Sequence, residues 1–120
     1  MTAQLIDGKK IAADLLSQIK HDITLREDDG IRRPCLAVLL IGDNPASEVY
    51  VRNKKIACEK VGIKSISVDL KDDVSEEEVL TIVNKLNNDP EVDGILVQSP
   101  LPDQVNEDLV IDAISPNKDV

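Results

Sequence analysis

The side chains best suited to chemistry in this sequence are an amine, a phenol and an amide: Lys54, Tyr50 and Gln98. Tyr50 and Lys54 lie within Gly42-Asp43-Asn44-Pro45-Ala46-Ser47-Glu48-Val49-Tyr50-Val51-Arg52-Asn53-Lys54-Lys55. Four residues apart on a helix, they share one face. A lysine amine serves as acid or base near neutral pH when burial or a neighbouring cation favours its neutral form. A tyrosine ring stacks on a planar ligand, and its hydroxyl can pass a proton. The Gln98 amide can orient an ammonium or a ligand carbonyl without adding charge. Each also has a plainer role. Lys54 could be one of 14 Lys and Arg residues on a solvated face, Tyr50 a half-buried packing ring, and Gln98 a loop anchor. Residue type alone leaves both sets open.

Position argues for the chemical set. Leu36-Ala37-Val38-Leu39-Leu40-Ile41 is an unbroken apolar run, the signature of a strand buried on both faces. Gly42 and Asp43 break it. Asn44 can then cap a helix with Pro45 at its first position, where the missing N–H costs nothing. That helix runs to about Val61 and stops at Gly62, a C-cap glycine. Ligands of open α/β sheets collect beyond the carboxyl ends of the strands, where the start of this helix lies. Gln98 follows a short buried strand, Gly94-Ile95-Leu96-Val97, and reaches the same edge.

The remaining elements complete the scaffold. Ile11, Leu15, Ile19 and Ile23 recur at helical spacing, predicting an amphipathic helix over 8–27. Residues 63–70 alternate apolar and polar, as a strand near an edge does. Ser75-Glu76-Glu77-Glu78 is a capping box, opening a helix whose inner face is Val79, Ile82, Val83 and Leu86. Asn87-Asn88-Asp89-Pro90 ends it. Gln98-Ser99-Pro100-Leu101-Pro102 is a rigid loop, and a last helix covers about 106–114. With right-handed crossovers, this order predicts an α/β fold. Its core is a small parallel sheet of about three or four strands with helices on both faces.

Composition narrows the function classes. At 120 residues the chain is one domain. It has one Tyr and no Phe or Trp, so its core is aliphatic. A net charge of -9 argues against nucleic acid, because phosphate contacts need clustered cations. Cys35 and Cys58 have no metal-ligand spacing and are expected to be reduced packing residues; a disulfide between them is possible in principle, but nothing in the sequence supports one. His21, the only histidine, lies between Lys20 and Asp22 on a polar face and has too few partners for a zinc site. Neither a G-x-G-x-x-G turn nor a P-loop is present. No signal peptide and no membrane-length apolar stretch is visible, so a soluble, cytoplasmic protein without membrane partners is expected.

Taken together, Tyr50-Val51-Arg52-Asn53-Lys54, Gly94-Ile95-Leu96-Val97-Gln98-Ser99-Pro100-Leu101-Pro102 and Pro116-Asn117-Lys118-Asp119-Val120 resemble the bifunctional methylenetetrahydrofolate dehydrogenase/methenyltetrahydrofolate cyclohydrolase family. The resemblance extends over essentially the whole chain and keeps the family's motif order. It implies that Lys54 is the catalytic acid/base, that Tyr50 stacks on the folate ring system, and that Gln98 hydrogen-bonds the lysine. It further implies that Val51, Arg52, Asn53, Val97, Ser99 and Pro100 line the folate pocket with them. The implied reactions pass hydride from methylenetetrahydrofolate to NADP, then hydrolyse the methenyl product to formyltetrahydrofolate. They place the enzyme in the one-carbon metabolism that feeds purine and amino-acid biosynthesis.

The resemblance also sets expectations beyond these residues. It makes 1–120 an N-terminal folate-binding catalytic domain, with an NADP-binding Rossmann domain following it and a homodimer as the full-length form. Two departures stand out. Ser99 occupies a position where the family usually has Leu, and the family's folate-orienting aspartate would fall one residue beyond Val120. The fold pattern alone would equally support a non-catalytic, flavodoxin-like binding or assembly module.

Overall fold

The computed structural model describes residues 2–120. The chain runs α1 (Gly8–Asp28), β1 (Cys35–Ile41), α2 (Pro45–Val61), β2 (Lys64–Leu70), α3 (Glu76–Asn87), β3 (Gly94–Val97) and α4 (Glu107–Ala113). The three strands form one parallel sheet in the order β2-β1-β3, with helices on both faces, as predicted. β1 is the central strand and is buried along nearly its whole length. Its alternate residues serve two layers. Cys35, Ala37, Leu39 and Ile41 meet Val79, Val83, Val110 and Ile114 of the α3/α4 layer, whereas Val38 and Leu40 meet Val51 of α2. Because β2 and β3 flank β1 on opposite sides, the winding reverses at β1. The crevice beyond the carboxyl ends of β1 and β3 is therefore the sheet's topological switch point.

Local signals account for the ends of α2. The Asn44 side chain accepts from the backbone N–H groups of Ala46 and Ser47, and Pro45 occupies the first turn. Gly62 closes the helix in the left-handed region, φ +91, which a side chain at that position would strain. Ser75 caps α3 through the Glu78 N–H, and Asn106 caps α4 through the Leu109 N–H. β2 is an edge strand, half-buried on alternate residues. Cys35 and Cys58 are both free and buried, and burial pushes both thiols up from their ordinary pKa.

α1 departs from expectation. The helix forms, but of its predicted apolar face only Ile23 is buried; Ile11 and Leu15 are 56% and 57% exposed. Ile23 packs near Gly62 at the end of α2, and the amino-terminal half of α1 extends past the domain. The radius of gyration, 16.8 Å, exceeds the roughly 14 Å of a compact chain this long. Helical periodicity reports which residues share a face; it does not report whether anything packs on that face.

Two long-range fastenings have no counterpart in the local pattern. Arg32 makes a two-pronged contact with Asp93 at 2.7 and 2.9 Å, and Asp93 also accepts from the Cys35 N–H at 2.8 Å. Lys118 donates through Nζ to the carbonyl of Leu86 in the last turn of α3 and to that of Asp89 just beyond it. Its own carbonyl accepts from the Ile95 N–H, so Asp119 bridges the outer edge of β3 in parallel.

Candidate active site

α2 and the loop after β3 converge at the switch point. Lys54 Nζ donates to Gln98 Oε1 at 2.5 Å, a short, direct contact. Both side chains are half-buried. Gln98 is itself held at the end of the sheet, where its N–H donates to the Leu39 carbonyl of β1 at 2.9 Å. One turn before Lys54, Tyr50 is 57% exposed. Its ring therefore contributes little to the core and remains available to a planar ligand.

Helix geometry divides the run Tyr50-Val51-Arg52-Asn53-Lys54. At about 100° per residue, positions 47, 50 and 54 share the side toward the loop. Val51 instead faces the sheet, packed with Val38 and Leu40. Arg52 and Lys55 line a different hollow of about 370 Å³ against β2, with Glu48, Ser67 and Asp69. Asn53 is exposed. Val97 packs into the α3/α4 layer, on the opposite face of the sheet from α2. The side chains of Val51 and Val97 thus pack into the two core layers and that of Arg52 turns toward β2, so on this geometry their backbone, rather than their side chains, adjoins the Lys54 surface. Contiguity in sequence stands for contiguity at a site only every third or fourth residue of a helix and every second residue of a strand.

Ser99 and Pro100 follow Gln98 in the loop and are exposed, with a cis peptide between them. One participant was not foreseen from sequence. Ser47 is the buried polar residue of the chain, 3% exposed among the described residues, and its Oγ donates to the Ser99 carbonyl at 3.2 Å. The signal available was its spacing, since it lies seven residues before Lys54 on the same helical face.

A cavity of about 650 Å³ lies elsewhere. It lies between Arg33, Cys35, Lys55, Glu59 and Lys64, at the amino ends of β1 and β2. Tyr50, Lys54 and Gln98 do not line it. The β1–α2 turn suits a dinucleotide poorly. It carries Asp43 and Pro45, and Asp69, Asp72 and Asp73 line the adjoining hollow, so a pyrophosphate would meet carboxylates and one missing N–H. No group of His, Cys, Asp and Glu among the described residues is placed to hold a metal ion, and no helix among them is long and apolar enough to cross a membrane.

Comparison with known proteins agrees with this geometry. Residues 6–120 match the tetrahydrofolate dehydrogenase/cyclohydrolase catalytic domain. The chain is 51% identical over all 120 residues to the bifunctional protein FolD of Neisseria gonorrhoeae and 53% identical to that of Methylobacillus flagellatus. It spans 42% of the length of each. The crystal structure of the methylenetetrahydrofolate dehydrogenase/cyclohydrolase of Campylobacter jejuni superposes with a TM-score of 0.93 at 43% identity, over 97% of this chain and 41% of that one. The Trypanosoma brucei enzyme, solved with NADP cofactor and an inhibitor, superposes at 0.90 with 30% identity, over 99% of this chain and 41% of its own. A model match over almost the whole chain and these identities are sufficient: the chain belongs to the tetrahydrofolate dehydrogenase/cyclohydrolase catalytic-domain family.

Proposed function

We propose that these residues form the folate-binding catalytic domain of a bifunctional enzyme that oxidises methylenetetrahydrofolate and hydrolyses the methenyl product to formyltetrahydrofolate. The observation that carries the reading is the 2.5 Å contact between Lys54 and Gln98, at the switch point of a sheet belonging to this family. In the hydrolytic step, water adds to the methenyl carbon and the neutral Lys54 amine takes one of its protons. Lys54 returns that proton to the leaving ring nitrogen as the carbon–nitrogen bond breaks. The remaining hydroxyl proton goes to solvent, and a formyl group is left on the other nitrogen. Gln98 keeps the amine directed throughout, because an amide oxygen can accept from an ammonium and from a neutral amine alike, the former more strongly.

Tyr50 supplies the stacking surface for the pterin, with Ser99 and Pro100 beside it in the loop. NADP, when bound, supplies the hydride acceptor. The acidic β1–α2 turn supports placing its binding site outside residues 1–120, in a following Rossmann domain. That domain would close over the exposed Tyr50 ring. A cytoplasmic homodimer is the form we assign to the whole enzyme.

The test is Lys54→Met in the full-length protein. Hydrolysis of methenyltetrahydrofolate should fall by at least about 100-fold, the usual weight of a positioned acid/base. Undiminished hydrolysis in a folded variant would remove Lys54 from the mechanism.

A further inference from the structure

An amide side chain can present either end to a neighbour, and only one end of Gln98 can serve Lys54. If Nε2 faced the lysine, two donors would oppose each other and the contact would be lost. The structure shows what selects the productive end. Gln98 Nε2 lies 3.4 Å from the Ser99 carbonyl, which turns Oε1 toward Lys54. The Ser99 carbonyl also accepts from Ser47 Oγ at 3.2 Å, and Ser47 is buried, with little water to turn to. On its other side, the Ser99 hydroxyl donates to Glu107 Oε1 in the first turn of α4.

Three elements therefore meet at one residue. α2 holds the Ser99 carbonyl through Ser47, α4 holds its hydroxyl through Glu107, and the carbonyl so fixed engages Nε2 of the neighbouring amide. We infer that Ser99 and Glu107 act as a positioning pair, setting the orientation of the Gln98 amide and through it the aim of the Lys54 amine. A leucine at position 99 would keep the carbonyl but have no hydroxyl to offer α4, so this fastening depends on the serine here. The inference rests on the proposed acid/base role of Lys54 for its kinetic consequence only; the orientation of Gln98 is separately measurable.

The experiment uses the full-length protein with Ser99→Ala, Glu107→Ala, the double variant and Ser99→Thr. Two readouts are taken: the NMR resonances of the Gln98 side-chain amide, and kcat, KM and the pH profile of methenyltetrahydrofolate hydrolysis. The expected result is that the Gln98 amide resonances move in both single variants. kcat should fall about 3- to 10-fold with KM within twofold, and the double variant should be no slower than the worse single one, because both changes break one chain of contacts. Ser99→Thr, which keeps the hydroxyl, should stay closer to wild type than Ser99→Ala. Unmoved Gln98 resonances in the single variants, or additive losses in the double, overturn the inference. Failure of the acid/base reading has a different signature, since Lys54→Met would then hydrolyse normally while the Gln98 resonances still reported on the pair.

Discussion

Replacing Gln98 by Leu isolates the contact on which the chemistry depends. Leucine has a similar length and no acceptor, so the loop keeps its packing while Lys54 Nζ loses the oxygen 2.5 Å away. A hydrogen bond contributes about 0.5–3 kcal/mol net, the upper part of that range where one partner is charged. Lys54 is only half-buried, so water recovers part of this, leaving about 1–2 kcal/mol of lost orientation. At about 1.4 kcal/mol per factor of ten, kcat for hydrolysis should fall about 5- to 30-fold. KM should change by less than about threefold, because the lost contact joins two protein groups. Saturation curves for methenyltetrahydrofolate hydrolysis by the full-length protein, followed spectrophotometrically, measure both quantities. A urea unfolding curve on the same sample confirms that the variant is folded. A folded variant whose kcat lies within twofold of wild type refutes the argument that the amide aims the amine.

Two further outcomes test the scaffold. Gly62→Ala places a side chain at φ +91, with its Cβ about 3.3 Å from Ile23 Cγ2. Left-handed strain of about 1–2 kcal/mol should appear as an earlier urea midpoint with an unchanged slope, and no loss at all would contradict the C-cap assignment. Asp93 is held below the usual carboxylate range, chiefly by its hydrogen bond from Arg32. A depressed folded-state pKa contributes stability that is present above the unfolded value of about 3.9 and lost as pH falls through the folded one. Asp93→Asn should therefore lower the urea midpoint at pH 7 and converge with wild type toward pH 2; a gap that widens with acid would show the sign to be wrong.

Much of the scaffold was legible because its signals are local. Asn44-Pro45 and Gly62 fix the ends of α2 within a few residues, and the unbroken run before Gly42 identifies a strand buried on both faces. Those two facts, with the rule that ligands gather at the carboxyl edge of the strands, bring Lys54 and Gln98 to one place before any coordinates exist. The missing parts depend on pairing at a distance. Ser47 meets Ser99 across 52 residues and Arg32 meets Asp93 across 61; neither leaves a periodic trace. α1 failed differently. Its spacing predicts an apolar stripe correctly, but burial of Ile11 and Leu15 needs a partner surface that periodicity does not encode. Val51 and Val97 show how helix and strand geometry divides neighbours in sequence, since their side chains pack into the core beside Lys54 and Gln98.

The most direct test is a crystal structure of the full-length protein with a folate analogue bound. The pteridine ring should stack on Tyr50, with Lys54 Nζ within hydrogen-bond reach of the atoms that carry the one-carbon unit and still in contact with Gln98. An analogue seated instead in the 650 Å³ hollow between Arg33, Lys55 and Lys64, at the opposite end of the sheet, would contradict the account.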